Sequence, residues 1–308
     1  MIKQKKGKPY RWLVVLLLPL FVQGCQEKVS GDGKRGDAPP SAWSAELVTR
    51  LSGFDVPECA VYDAGSDSVW VSNIESGPDA YWSDDGNSYL SKLGSDHKLE
   101  KLRWLDSSEM APMHAAKGMC ILDGHLYFTD NTRLMRCDLA TGQGLVQVVD
   151  GFEKANDLAT DGQHVWLSDT GAGKVYCIGT DGAKREVPAP ASVNGLTFDK
   201  GRLYAVSWDL HDLYELDAEG ENEPVAFGLA DHFTHLDSIE VLADGSFLVS
   251  DFKGNKISTV SADRQVVKTL IDITSPADVG FDRVKGLLYI PSFMEGEVSV
   301  YKLRYEER

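Results

Sequence analysis

The chain has 308 residues, with 31 Lys+Arg against 47 Asp+Glu, 29 Gly and 12 Pro. An excess of acid this large works against a nucleic-acid partner, because such sites draw their affinity from clustered Lys and Arg on phosphate. The 43% hydrophobic and 25% charged fractions match an ordinary globular protein and exclude a collagen-like, largely disordered or polytopic membrane chain.

Five basic residues, Lys3, Lys5, Lys6, Lys8 and Arg11, stand at the front, followed by an apolar run from Trp12 to Val22. That run is shorter than the roughly 20 residues a spanning helix needs, and a basic stretch before a short apolar one is the layout of an export signal. The run closes Val22-Gln23-Gly24-Cys25, which resembles the lipobox of bacterial lipoproteins. The resemblance implies cleavage after Gly24, a diacylglycerol on the Cys25 thiol and a further acyl chain on its amine, and more than one chain is what stable anchoring takes. Residues 1–24 are therefore expected to be a lipoprotein signal peptide. Their removal leaves 26 basic and 47 acidic residues, a formal charge of −21. Gln26 in place of Asp implies, by the same resemblance, the outer membrane of a Gram-negative cell, reached through the lipid alone. Residues 25–43, rich in Gly, Pro, Ser and charge without a hydrophobic period, read as a flexible tether.

From residue 44 onward the apolar residues come in short runs bounded by Gly, Asp and Asn, the pattern of short strands. Six runs resemble one another: Val69-Trp-Val-Ser-Asn73, Leu126-Tyr-Phe-Thr-Asp130, Val165-Trp-Leu-Ser-Asp169, Leu203-Tyr-Ala-Val-Ser207, Phe247-Leu-Val-Ser-Asp251 and Leu288-Tyr-Ile-Pro-Ser292. Their last residues lie 57, 39, 38, 44 and 41 apart. A period near 40 residues with several strands per unit marks one propeller blade. We expect an all-β, six-bladed β-propeller over residues 44–308. The long first spacing predicts an insertion in blade 1, placed at Glu75 to Asn87. The last unit stops after its third strand, while Ala45 to Leu51 is strand-like and belongs to no complete unit. This N-terminal strand is expected to complete blade 6 and close the ring, which covers edges that would otherwise aggregate. The chain is expected to be a monomer. Cys59, Cys120, Cys137 and Cys177 fall in apolar segments without metal or redox spacing and are expected to be buried free thiols.

Aligning the six units places Glu58, Lys117, Asn156, Asn194, Asp237 and Ala277 at the start of the inner strands. Inner strands line a propeller's channel, so these side chains should converge at its mouth although far apart in sequence. Two carboxylates with two amide oxygens suit a hard divalent cation, Ca²⁺ first, with Zn²⁺ or Mn²⁺ as alternatives. Asn and Asp also favour turns ahead of strands, and the filling of four slots in six by oxygen-bearing residues is what points beyond that preference.

The segments Glu58-Cys-Ala-Val-Tyr, Asn156-Asp-Leu, Asn194-Gly-Leu-Thr-Phe and Asp237-Ser-Ile resemble the inner-strand motifs of the gluconolactonase/regucalcin (senescence marker protein) family and, more distantly, the paraoxonases. The resemblance implies a divalent metal on Glu58, Asn156, Asn194 and Asp237 and metal-dependent hydrolysis of a small-molecule lactone or ester, with Asp237 activating water. Paraoxonases carry a His-Gly at the blade 2 slot and use a histidine dyad; here the slot reads Lys117-Gly118, so Lys117 is expected instead to bind an anionic substrate group or to offset the acidic channel. His114, His211, His232 and His235 read as loop histidines, and His232-x-x-His235 lacks a third ligand at normal metal spacing.

No Gly-x-Ser-x-Gly elbow, His-Glu-x-x-His or dinucleotide fingerprint occurs. Gly171-Ala-Gly-Lys174 lies between two strands and reads as a hairpin turn. Segments such as Val165-Trp-Leu-Ser-Asp-Thr-Gly-Ala-Gly-Lys-Val-Tyr also resemble NHL repeats, which implies an alternative: a non-catalytic propeller binding a protein or glycan partner, with a structural ion and rim aromatics such as Tyr81, Trp82 and Trp208.

Overall fold

In a computed structural model, residues 43–306 form six four-stranded antiparallel sheets and two single 3₁₀ turns. Among the described residues no helix is long and apolar enough to cross a membrane. The signal peptide, Cys25 and nearly all of the tether lie outside the described residues.

The chain writes one blade after another. Blade 1 runs β2 (Pro57–Asp63), β3 (Ser68–Asn73), β4 (Tyr89–Leu93) and β5 (Leu99–Asp106), from the channel outward. The inner strands of blades 2 to 5 are β6 (Ala116–Leu122), β10 (Ala155–Thr160), β14 (Val193–Asp199) and β18 (Leu236–Val241). Blade 6 has the order β22 (Gly280–Asp282), β23 (Leu287–Ser292), β24 (Glu297–Tyr305) and β1 (Trp43–Ser52), so the first strand of the fold is the outer strand of the last blade. This strand starts one residue earlier than the sequence boundary, because Trp43 pairs with Tyr305 and its indole donates to Asp244 at 3.0 Å. The insertion in blade 1 falls where the long spacing put it, between Asn73 and Tyr89, which are themselves paired.

Alternation in each strand sends apolar side chains to both faces of a blade, and the core lies between blades. Leu122, Tyr127 and Leu134 of blade 2 pack on Leu158, Leu167 and Ile178 of blade 3. Trp43, Leu288, Ile290 and Leu303 of blade 6 pack on Leu248, Ile257 and Ile271 of blade 5. Each such side chain contributes about 1.5–3 kcal/mol by leaving water, and the ring is held by these blade-to-blade seams together with the β1–β24 ladder. Cys59, Cys120, Cys137 and Cys177 are buried free thiols.

The last two residues of the repeated run have a structural task. In blades 1, 3 and 5 the Ser hydroxyls of Ser72, Ser168 and Ser250 accept the backbone N–H of Cys59, Asp157 and Ser238 at 2.8–2.9 Å. The carboxylates of Asp130, Asp169 and Asp251 each accept two N–H groups of the loop entering their own blade, at 2.7–3.0 Å. The Ser-Asp ending thus satisfies backbone donors that no ladder reaches, in a buried setting where an unpaired N–H would cost about 1–3 kcal/mol.

Candidate functional site

The N–H groups accepted by those serines are freed by a break in the inner-strand register. In each of five inner strands the ladder shifts at the slot position, between Pro57 and Ala60, Ala116 and Met119, Ala155 and Leu158, Val193 and Leu196, and Leu236 and Ile239. A bulge of this kind turns a side chain out of the sheet's alternation. Here it directs Glu58, Lys117, Asn156, Asn194 and Asp237 into one cavity of about 580 Å³ at the channel mouth. The sixth slot is filled by Ala277, fully buried against Ile74 and Phe293, which contributes no polar group.

Close approach of neighbouring inner strands is what brings these groups together, and glycine permits it. A Cβ on Gly195 would sit 2.3 Å from the Asp237 carbonyl oxygen, and one on Gly118 would sit 2.4 Å from the Asp157 Cα. The residue after Lys117 and the residue after Asn194 therefore have to be glycine for the slots to meet.

Hydrogen bonds run along the floor of the cavity. Asn156 Nδ2 donates to Asn194 Oδ1 at 2.5 Å and to Thr170 Oγ1 at 3.1 Å, and Asn194 Nδ2 donates to Asp237 Oδ1 at 2.5 Å. Glu58 Oε2 is buried without a hydrogen-bond partner. Burial, then the charges of Asp237 and Asp278, push the Glu58 carboxyl well above its ordinary range, and Lys117 opposes them. Asp237 is raised to about 7, by burial first and by Asp278 second. Two buried carboxylates that resist ionising together, one oxygen of them unpartnered, are groups for which a bound cation would supply the missing counter-charge. No cluster of three or more His, Cys, Asp and Glu among the described residues is placed to hold a metal. A cation at the mouth would depend on the amides of Asn156 and Asn194 as well as on Glu58 and Asp237, and this all-oxygen set fits a hard ion better than a transition metal.

Lys117 is 2% exposed. Its Nζ donates to Ala115 O at 3.1 Å and to Asn131 Oδ1 at 3.2 Å, and lies 3.9 Å from the centre of the Trp82 ring. Burial lowers it to about 8, against the pull of Glu58, Asp130 and Asp84. Trp82 reaches it from the blade 1 insertion, which is fastened to blade 2: Asn131 Nδ2 donates to Ser83 O and Asp84 Oδ1, both at 2.9 Å, and Gly86 N donates to His114 Nδ1 at 2.9 Å. Tyr81 of the same insertion meets Phe293 of blade 6 edge to face at 5.0 Å. The insertion thus forms part of the cavity wall, and Tyr81, Trp82 and Trp208 all line it.

Sequence reasoning missed a second layer of acids beneath the floor. Asp157 and Asp278 line one small cavity, and burial raises both above the ordinary carboxylate range. Asp157 also accepts the N–H groups of Leu158 and Leu196 at 2.6 Å each. Strict alternation would send the residue after each slot away from the channel; in the five bulged strands the bulge keeps it there, while Asp278 stands ahead of β22 and its N–H donates to Glu58 O at 2.9 Å. The signal that could have found this layer is the series Cys59, Gly118, Asp157, Gly195, Ser238 and Asp278, small or acidic in every unit. The loop histidines do not gather into a metal site. His235 packs on His211 at 4.9 Å and on Trp208 at 4.8 Å, while His232 packs on Phe233.

The chain matches no protein-family model and no curated protein. Solved structures do resemble it. A gluconolactonase-like protein is 21% identical, with 87% of this chain and 96% of that one covered and a TM-score of 0.62. A luciferin-regenerating enzyme is 15% identical over 85% and 95% with a TM-score of 0.63. A virginiamycin B lyase from Staphylococcus aureus, in a catalytically inactive form with quinupristin, is 13% identical over 84% and 99% with a TM-score of 0.57. At these identities the likeness is one of fold alone, and the count of six blades is read from this chain's own six sheets.

Proposed function

We propose that this propeller is a divalent-metal-dependent hydrolase of a lactone or ester, with Ca²⁺ held at the channel mouth by Glu58, Asn156, Asn194 and Asp237. The observation that carries the reading is the orphaned, buried Glu58 Oε2 beside a second buried carboxylate and two amides, all converging from four different blades. When bound, the cation supplies the charge that polarises a carbonyl oxygen and stabilises the oxyanion that develops on it. Asp237, as a carboxylate, would take a proton from the attacking water as its oxygen bonds to the carbonyl carbon. The ester C–O bond then breaks, and the leaving oxygen takes a proton. Glu58 and Asp237 are both buried, which strengthens these charge interactions. Enzymes among the structural neighbours support a catalytic use of the mouth without fixing the reaction.

The same reading places the protein outside the cytosol, tethered through lipid on Cys25. Metal analysis of the purified chain, followed by a panel of lactones and esters with and without chelator, tests it. Stoichiometric Ca²⁺ with chelator-sensitive hydrolysis that Asp237→Asn abolishes is the expected result. An absence of both bound metal and turnover would favour a propeller that recognises a protein or glycan through this face.

A further inference from the structure

The wall of the cavity is chemically divided. Four of its rings touch in sequence: Tyr81 meets Phe293 at 5.0 Å, Phe293 meets Phe252 at 5.4 Å, and Phe252 meets Trp208 at 5.4 Å. They come from blades 1, 6, 5 and 4 and form one continuous apolar arc. Beyond the arc stands Trp82, with Lys117 Nζ at 3.9 Å and Lys154 Nζ at 5.5 Å from its ring centre. Among the described residues neither ammonium has a carboxylate oxygen within 4.0 Å, whereas Lys92, Lys174 and Lys285 are ion-paired. Among the described residues Lys154 makes no hydrogen bond through Nζ, while its backbone N–H is fixed on Asp169 at 2.8 Å, so the backbone that carries the charge to the mouth is held in place.

In a protein with so large an acidic excess, an exposed lysine at the cavity mouth without an ion-pair partner, Lys154, calls for an anion, and the buried Lys117 adds positive charge on the other side of Trp82. A divalent ion on Glu58 and Asp237 would cancel those two charges. Lys117 and Lys154 would then face only Asp209 among the charged lining residues, and Asp209 already accepts the Ser192 hydroxyl at 2.6 Å. We infer that the substrate is a lactone or ester with a flat, apolar body and an acidic group, the body lying on the Tyr81–Phe293–Phe252–Trp208 arc and the acid directed to Lys154 beside Trp82. This rests on the hydrolase reading for the bond that is cleaved, but recognition can be measured without turnover.

The test is equilibrium dialysis of the Ca²⁺-loaded chain against three probes of one shape: 2-naphthoate, neutral 2-naphthamide and a cationic 2-naphthylmethyl-trimethylammonium. Naphthoate should bind about three- to tenfold more tightly than the amide, the range for one charge-assisted contact at a partly open site, and the cation most weakly. Lys154→Met, at an exposed position, should bring naphthoate and amide to equal affinity, and Phe252→Leu should weaken all three. Equal binding of naphthoate and amide by the native chain, a cation that binds best, or a naphthoate preference unchanged in Lys154→Met would overturn the inference. Hydrolysis of neutral lactones without any naphthoate preference would remove this substrate class and leave the hydrolase. A Lys154-dependent naphthoate preference without hydrolysis of any lactone or ester would keep the recognition and remove the hydrolase.

Discussion

Asp237 gives the most direct measure of the floor's electrostatics, through the stability of the metal-free chain. Its carboxyl is raised from 3.8 to about 7 by burial and by Asp278. Between those values the folded chain keeps a proton that the unfolded chain has released, so stability is fully present below pH 4 and is lost as pH rises toward 7. One such proton changes the unfolding free energy by about 1.4 kcal/mol per pH unit, and the whole window amounts to on the order of 4 kcal/mol. Glu58 acts with the same sign. Lys117 acts with the opposite sign and higher up: lowered from 10.5 to about 8, it lacks in the folded chain a proton the unfolded chain keeps, so stability recovers as pH rises from about 8. Urea denaturation in EDTA should therefore find a minimum between pH 7 and 8. Asp237→Asn removes one titrating group, and its loss of stability from pH 5 to 7 should be smaller than the native chain's by about 2 kcal/mol. Saturating Ca²⁺ should flatten the native slope, because metal and proton compete for the same oxygens and the loaded folded chain holds no proton that the unfolded chain has released. Equal slopes for the native chain and Asp237→Asn would refute the coupling argued for the floor, and a native slope unmoved by Ca²⁺ would refute the metal.

Gly195→Ala, with a Cβ 2.3 Å from the Asp237 carbonyl oxygen and 2.8 Å from the Ser238 Cα, should cost about 3 kcal/mol or more by urea denaturation. Gly77→Ala, which meets nothing within 4 Å, should stay within about 0.5 kcal/mol. Trp82→Ala should cost only about 0.5–1 kcal/mol yet make Lys117, otherwise 2% exposed, open to acetylation by acetic anhydride, read by peptide mass spectrometry. The four thiols at Cys59, Cys120, Cys137 and Cys177 are buried and burial raises all of them, Cys137 to about 12. A disulfide dye should label none of them in the folded chain and all four after denaturation.

What the sequence carried clearly was everything that repeats. A Ser at the fourth place or an Asp at the fifth recurs in blades 1, 2, 3 and 5 because those blades have the same kind of freed N–H groups to satisfy, and blade count, ring closure and the five polar slots all follow from aligning on these runs. Alternation within a strand misled at one place, the bulge, where Asp157 stays in the channel beside the slot residues although a simple period of two sends it elsewhere; Asp278 joins it from the segment ahead of β22. The surroundings of Lys117 were out of reach for a different reason. Trp82 and Asn131 act on it from an insertion and from a neighbouring strand, and contacts made once per molecule leave no period to read.

That division has a consequence for how the site is built. The floor belongs to the repeat: Glu58, Asn156, Asn194 and Asp237 are each placed by a bulge, whose freed donors are satisfied by the blade's own serine in blades 1, 3 and 5 and by Asp157 of blade 3 at Leu196 of blade 4, and Gly118 and Gly195 hold adjacent strands at a spacing no other residue permits. The wall belongs to the exceptions, the blade 1 insertion with Tyr81 and Trp82 and the loops that bring Lys154 and Trp208. A change at Trp82 or Lys154, both exposed, alters what enters the cavity at small cost to the ring, whereas Phe293 and Tyr81 also pack on Ile74 and Ala277 between blades. A change in the floor alters the strand spacing itself and is felt through the whole ring. Chemistry placed on the floor and selectivity placed on the wall can therefore vary independently, and Lys154→Met against Asp237→Asn is the pair of substitutions that separates them.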